Sequence, residues 1–314
     1  MSPSVHIVIV NWNTGDYLRE CLRSIVDTKN ETFSLARVTV VDNASSDDSF
    51  ARLDSFSLPL EAIRNETNRG FAAACNQGAS GSSADYILFL NPDTRLFPDA
   101  LARVTRFMEG PGAAGIGICG VQNVDNHGQP AISSSRFPSV RGWIGKMTGL
   151  DRLLPGVFPP HHLRPAELQE SRIVDQVIGA FYFVRRELFV RLGGFDERFF
   201  LYFEEVDFAL RARGVGYSSY FLKDAQVFHA GNVSSNQVRE FRLYHGLRSR
   251  LLFARKQWKP WRSTVLVILT FTIDLAAHLA WAVIRLNPRE AKETGAAYRK
   301  LFNDLTRSPS ALPS

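Results

Sequence analysis

The sequence contains neither G-x-G-x-x-G nor G-x-x-x-x-G-K-[ST]. A dinucleotide Rossmann site and a P-loop are both disfavoured on that ground. Without a glycine-rich cradle, a bound diphosphate needs a metal ion or basic side chains. Cysteine is scarce: Cys21, Cys75 and Cys119 are the only three in 314 residues, and they lack metal-site spacing. Cys21 and Cys75 fall in apolar helical patterns, so buried free thiols are expected, which fits a reducing compartment. No Ser/His/Asp or Cys/His arrangement points to a covalent nucleophile. Low-complexity tracts, repeats of solenoid period and nucleic-acid-binding motifs are all missing, so no nucleic acid partner is expected. The apolar run 5–10 is short and has no basic leader, so no secretory signal peptide is expected.

What is present can build a large core, since 45% of residues are hydrophobic and 11% aromatic. The net charge of +6 is compatible with anionic lipid or phosphorylated ligands.

The most informative stretch is Tyr86-Ile87-Leu88-Phe89-Leu90-Asn91-Pro92-Asp93. Five unbroken apolar residues suit a strand buried on both faces. Pro92 has no N–H to donate and stops the ladder. Asn91 and Asp93 are thereby delivered past the carboxyl end of a strand, where ligands of open α/β sheets sit. A carboxylate there can hold a hard cation, and the cation a phosphate. Taken alone, Asn-Pro-Asp reads as a turn. The context changes that reading. Residues 5–10 form a second apolar strand ending at Asn11-Trp12-Asn13. Residues 37–41 form a third, ending at Asp42-Asn43. A short strand over 60–64 leads to Asn68-Arg69-Gly70 and a small-residue helix over 71–78, and another helix follows over 98–108. This order is that of an α/β sheet flanked by helices. Three polar strand ends, Asn11/Asn13, Asp42/Asn43 and Asn91/Asp93, should share one edge. Asp42 can accept from a base or ribose, and Gly70 permits close backbone approach.

The second half is less regular. Six prolines between 130 and 165 make 120–172 an irregular excursion, basic through Arg136, Arg141, Lys146 and Arg152, and legible as a lid or acceptor-side region. A strand is expected over 175–184. A helix beginning at Glu204-Glu205 places Glu204, Asp207 and Arg211 on one face and turns Glu205 roughly 100° away. One acid can pair with Arg211 while the other serves as a general base. Clustered acids at a helix start also complement its dipole. His229 closes a strand over 225–229 beside Ala230-Gly231-Asn232, as a structural histidine or a metal ligand.

These motifs together resemble family 2 inverting glycosyltransferases of the GT-A fold, nearest a rhamnosyltransferase-like group. The likeness runs from about residue 5 to 258 and rests on Val8-Ile9-Val10-Asn11-Trp12-Asn13, Val41-Asp42-Asn43-Ala44-Ser45, Asn68-Arg69-Gly70-Phe71, Asn76-Gln77-Gly78, Leu90-Asn91-Pro92-Asp93, Gly193-Gly194-Phe195-Asp196 and Phe203-Glu204-Glu205-Val206-Asp207. The resemblance implies a Rossmann-like mixed sheet that binds a nucleotide-diphosphate sugar, dTDP- or UDP-linked. Asp42 would contact the base, with Asn11, Asn13, Asn68, Gly70, Asn76 and Asn91 lining the donor. Asp93 stands in the family's Asp-x-Asp metal motif, whose first acid is Asn91 here, and His229 falls where relatives add a ligand to Mg²⁺ or Mn²⁺. Glu204-Glu205 stands where the family usually has Glu-Asp, the second acid being the base. The implied activity is sugar transfer, rhamnose among the candidates, to a glycan or polyprenyl-linked acceptor in cell-surface polysaccharide synthesis. The enzyme would work at the cytoplasmic face of the cell membrane, with room for a homo-oligomer. A nucleotidyltransferase and a non-catalytic binding protein of the same fold are the alternatives. The first would want basic residues near the first strand, and Asn11-Trp12-Asn13-Thr14-Gly15 offers none.

The transferase domain is thus expected over 1–258, with an apolar, membrane-associated helical appendage over 259–314. Residues 264–284 approach the length of a membrane span. Asp274 and His278 interrupt it one helical turn apart, and basic residues flank both ends, so a helix lying in the interface is favoured over a clean span. Disorder is expected after Ser308.

Overall fold

The computed structural model describes residues 2–29, 31–51, 53–231 and 239–307. Asn232 and the expected disorder beyond Ser308 lie outside them. Two compact units divide the chain. The first takes residues 1–137, 162–200 and 204–234, and the second takes 138–161, 201–203 and 235–314.

Among the described residues, the first unit holds eleven strands: β1 (Ser4–Asn11), β2 (Ser34–Asp42), β3 (Leu60–Arg64), β4 (Tyr86–Leu90), β5 (Thr94–Leu96), β6 (Ile116–Val124), β7 (Ser134–Ser135), β8 (Arg172–Val174), β9 (Gln176–Val177), β10 (Phe181–Arg185) and β11 (Ser218–His229). The main sheet runs β3-β2-β1-β4-β10-β6-β11-β5, with β8 also on β11, while β7 and β9 form a separate pair. β1 to β4 are mutually parallel, and Asn11 pairs with Asp42, Asp42 with Arg64 and Ile9 with Leu90. β10 enters between β4 and β6 in the opposite direction, so the sheet is mixed.

Every residue of β4 is buried, as its unbroken apolar run requires. Burying each such side chain contributes about 1.5–3 kcal/mol, which makes this strand the sheet's central beam. On one face pack Leu18, Leu22 and Ile25 of the helix Asp16–Val26. On the other lies the helix Phe71–Ala79, whose small residues allow close approach. A Cβ on Gly78 would stand 2.6 Å from Val8 Cγ1 and 2.9 Å from Val41 Cγ2. All three cysteines are buried free thiols.

Several expectations shift. The irregular excursion starts after Val124, because residues 116–124 form a fully buried strand. Part of it is helical: Val140–Thr148 is capped by the Ser139 hydroxyl, which accepts from the Gly142 N–H. The strand expected over 175–184 splits into β9 and β10 around residues 178–180. β11 is longer than expected and carries a register shift between Leu222 and Gln226.

The second unit gathers the helix Arg239–Gln257, the apolar helix 260–284 and the helix Pro288–Arg307. Residues 239–257, assigned above to the transferase domain, therefore share a unit with the tail. The apolar helix has the length and composition to cross a membrane, and only 17% of its most apolar window is buried, so it is not a core helix. A π-helical turn at Thr270–Asp274 interrupts it. Asp274 Oδ2 accepts from the buried Arg250 at 2.6 Å, and His278 Nε2 stands 3.8 Å from Asp274 Oδ1. The mid-segment carboxylate is thus compensated from the neighbouring helix. Trp261 and Trp281 are exposed near its two ends, each under an arginine, Arg262 at 5.2 Å and Arg285 at 4.8 Å.

Candidate active site

The parallel register brings the polar ends of β1, β2 and β4 to one edge of the sheet. Asn11 is completely buried there. Its Nδ2 donates to Asp42 Oδ1 at 2.8 Å, Ser49 Oγ at 2.8 Å and Ser45 Oγ at 3.1 Å, while its Oδ1 accepts from the Thr14 hydroxyl. These bonds make Asn11 a brace for Asp42 at the strand end. Asp42 also accepts from the Ser45 N–H, and Arg64 Nε stands 3.8 Å from it. Asn13 adopts a left-handed φ of 51° and accepts from the Ser46 N–H at 2.7 Å. It shapes the loop after β1.

Gly70 is required by its backbone. Its φ is 86°, and a Cβ would sit 2.6 Å from the Phe200 carbonyl oxygen. Asn68 Oδ1 accepts from the Gly70 N–H at 2.9 Å, and Asn43 Nδ2 donates to the Gly70 carbonyl at 3.1 Å. Asn43 thereby ties the β2 end to Gly70. Asn76 goes elsewhere: its amide donates to Phe195 O (2.8 Å) and Glu197 (3.0 Å) and accepts from the Phe195 N–H (2.9 Å). A Cβ on Gly194 would meet Asn76 Oδ1 at 2.5 Å. Asn76 thus acts as a strut to the 193–197 turn.

Past β4, the Asn91 N–H donates to the Ala180 carbonyl and its carbonyl accepts from Thr94. This turn reverses the chain into β5, which pairs antiparallel with β11 so that Thr94 faces His229. The Ala230 N–H donates to the Asp93 carbonyl at 3.1 Å. Asp93 and His229 are consequently juxtaposed, Oδ1 to Nε2 3.3 Å, both mostly buried. The imidazole nitrogen is not aligned for a hydrogen bond and has no other partner among the described residues. Among the described residues, no group of three or more His, Cys, Asp or Glu surrounds a metal position.

The two glutamates differ in overall burial, although one carboxylate oxygen of each is fully buried. Glu204 is buried (5% exposed), and its Oε2 has no hydrogen-bond partner among the described residues. Burial first, and the Glu205 charge second, push its pKa well above the ordinary carboxylate range. Arg211 pairs with Asp207 at 2.8 Å and donates to the Leu192 and Gly194 carbonyls. Arg211 is thus taken by Asp207, where one of the two adjacent glutamates was expected to pair with it. Glu205 is half-buried. A Cβ on Gly179 would lie 4.0 Å from its Cγ, and the Tyr182 hydroxyl donates to its backbone carbonyl at 3.4 Å. Gly179 directly precedes Ala180, the partner of Asn91, so Glu205 belongs to the same sheet edge. Directly before the acids, Tyr202 and Phe203 hold φ of 68° and 71°. Two successive left-handed non-glycine residues cost about 1–3 kcal/mol each, a strain that sequence patterns do not register. Gly179 was equally silent in the sequence, since no turn signal flags it.

Residues 6–162 match the family model for glycosyl transferase family 2, and residues 86–287 match glycosyl transferase family group 2. The chain belongs to glycosyl transferase family 2. As a family 2 glycosyltransferase it is 26% identical over 298 residues to the Mycobacterium tuberculosis N-acetylglucosaminyl-diphospho-decaprenol L-rhamnosyltransferase, covering 89% of this chain and 93% of that one. It is 25% identical over 244 residues to rhamnosyltransferase WbbL of Escherichia coli, covering 76% and 86%. In structure it is similar to the mannosyltransferase of Pyrobaculum calidifontis determined with GDP-Man and Mn²⁺ (TM-score 0.55, 17% identity, 99% of this chain and 76% of that). It also matches TarS of S. aureus with UDP-GlcNAc (TM-score 0.51, 15% identity, 100% and 82%). These likenesses establish the GT-A fold for this family 2 glycosyltransferase.

Proposed function

We propose that the protein transfers a sugar, rhamnose first among candidates, from a dTDP- or UDP-linked donor to a glycan or lipid-linked acceptor, with inversion. The reading fits the two rhamnosyltransferases that the chain resembles over most of its length. The observation that carries it is the Asp93–His229 pair at 3.3 Å on the sheet edge. A carboxylate oxygen beside an imidazole nitrogen with no aligned partner is a donor set that fits a divalent cation, Mg²⁺ or Mn²⁺. Such a cation supplies positive charge that offsets the charge gained by the departing diphosphate.

The rest falls to the chain's own groups. Inversion is a single displacement in which the acceptor hydroxyl loses its proton as it attacks. Glu205 is the base in this reading: it is half-buried beside Gly179, whereas burial and the neighbouring Glu205 charge disfavour ionisation of Glu204. Asp42, oriented by Asn11, faces the nucleoside, with Asn13, Asn68 and Gly70 shaping the loops beside it. The exposed apolar helix 260–284, with basic residues at both ends, fits work at a membrane surface on a polyprenyl-linked acceptor. The test is release of nucleoside diphosphate across a panel of nucleotide sugars with a polyprenyl-linked glycan as acceptor. Turnover with a dTDP- or UDP-sugar is expected, and absence of acceptor-dependent release from every donor overturns the reading.

A further inference from the structure

We propose a second ligand site in the first unit, a pocket for a phosphomonoester of sugar-phosphate size, at the sheet edge opposite Asp93 and His229. A cavity of about 390 Å³ lies there, within the range of small-molecule sites. Its walls are β8, the first residues of β11, the last turn of the helix Glu204–Gly214, and Ser135-Arg136.

The strand register explains how charge converges on it. β8 pairs antiparallel with β11, with Val174 opposite Ser219 and Arg172 opposite Phe221. Paired residues project to the same face, and residues two apart share one. Arg172 and Ser219 therefore line the same side. Arg213 arrives from the helix and Arg136 from the segment after β7. Three guanidiniums thus meet one lining carboxylate, Asp175. Arg213 stands 3.4 Å from Asp175, and Arg136 pairs with Glu167 at 2.5 Å. Arg172 has no carboxylate within ion-pair distance among the described residues.

The independent sign of a ligand is Ser219. It is 3% exposed, and its Oγ is buried without a hydrogen-bond partner among the described residues. Unpartnered buried hydroxyls are uncommon, and Ser219 lines the same cavity as the three arginines. A guanidinium fork pairs with two oxygens of an anion. Forks arriving from three separate elements match a tetrahedral phosphate better than a planar carboxylate, with Ser219 donating its proton to a further oxygen. Ser219 lies near the start of β11 and His229 closes it; on the paired strand β6 the interval from Ile118 to Val124 spans roughly 20 Å, which sets the pocket apart from the metal-ligand pair.

The test is isothermal titration of the full chain with inorganic phosphate, a hexose 1-phosphate and a hexuronate. Both phosphates are expected to bind, also with saturating nucleoside diphosphate present. Arg172→Glu should weaken that binding at least tenfold and Ser219→Ala severalfold, with no loss of melting temperature and with nucleoside diphosphate affinity unchanged. Arg172 is exposed, so its substitution leaves the fold intact. The proposal is overturned by any of four results: no binding at millimolar phosphate, unchanged binding in both variants, displacement by nucleoside diphosphate, or hexuronate binding as tightly as the hexose phosphate.

Discussion

Asp93 Oδ1 lies 3.3 Å from His229 Nε2, one residue in the turn after β4 and the other at the last position of β11. The pairing exists because β5 folds back along β11. Asp93→Asn keeps the shape and removes the charge. Metal-dependent donor binding should disappear, and His229→Gln should weaken it by about 10–100-fold, the scale seen when a metal site's supporting shell is cut. Calorimetry of nucleoside diphosphate with and without Mn²⁺ reads both. Full wild-type turnover in excess chelator would rule out the metal role.

The glutamate pair yields a prediction in both rate and pH. Glu205→Gln should lower turnover by roughly 10²–10⁴-fold, the usual general-base contribution, with donor affinity near wild type. Glu204→Gln should stay active, since glutamine mimics the neutral acid. The sign of its stability effect follows from linkage. The folded pKa of Glu204 lies above its ordinary value of 4.5, so the native state holds a proton that the unfolded chain releases. Stability from this group is therefore present below pH 4.5 and declines as pH rises toward the raised value. Glu204→Gln should melt higher than wild type at pH 8 and equal to it near pH 4. A dead but folded Glu204→Gln alongside a normal Glu205→Gln would reverse the assignment.

Gly70→Ala should destabilise the fold by about 1–3 kcal/mol for the positive φ alone, and further because its Cβ would stand 2.6 Å from the Phe200 carbonyl. Chemical denaturation measures the loss. A variant as stable as wild type would mean that the 68–71 turn is not held as described.

In the second unit, Arg250 is buried and paired with Asp274. Removing one partner of a buried pair costs about 3–5 kcal/mol, so Asp274→Ala should melt well below wild type while Asp274→Ala/Arg250→Met recovers part of the loss. Membrane attachment is read separately, with the surface variant Trp261→Ala/Trp281→Ala. It should co-float with anionic vesicles less than wild type at equal melting temperature. Unchanged flotation would place the attachment elsewhere.

The order of motifs made most of the donor half legible. An unbroken apolar run stopped by Pro92 suits a buried strand with its polar tip at the edge, and the polar ends of β1 and β2 lie side by side with it in the parallel register. Asp93 could be singled out because no glycine cradle competes for the phosphate. The internal bonds of Asn11 and Asn76 were not legible, because sequence records an amide but not where its hydrogen bonds go. The Asp207–Arg211 pairing likewise escaped prediction. Glu204, Asp207 and Arg211 share a helical face by spacing, and only the Leu192 and Gly194 carbonyls, brought in by the turn before the helix, orient the guanidinium away from Glu204. The sequence by itself determined the alternation of elements, the edge on which polar residues collect and the apolar tail, since these follow from periodicity and backbone chemistry along the chain. The tertiary structure alone decided which acid is desolvated, which histidine meets Asp93 and how Asp274 is neutralised, because each depends on a partner from a distant segment.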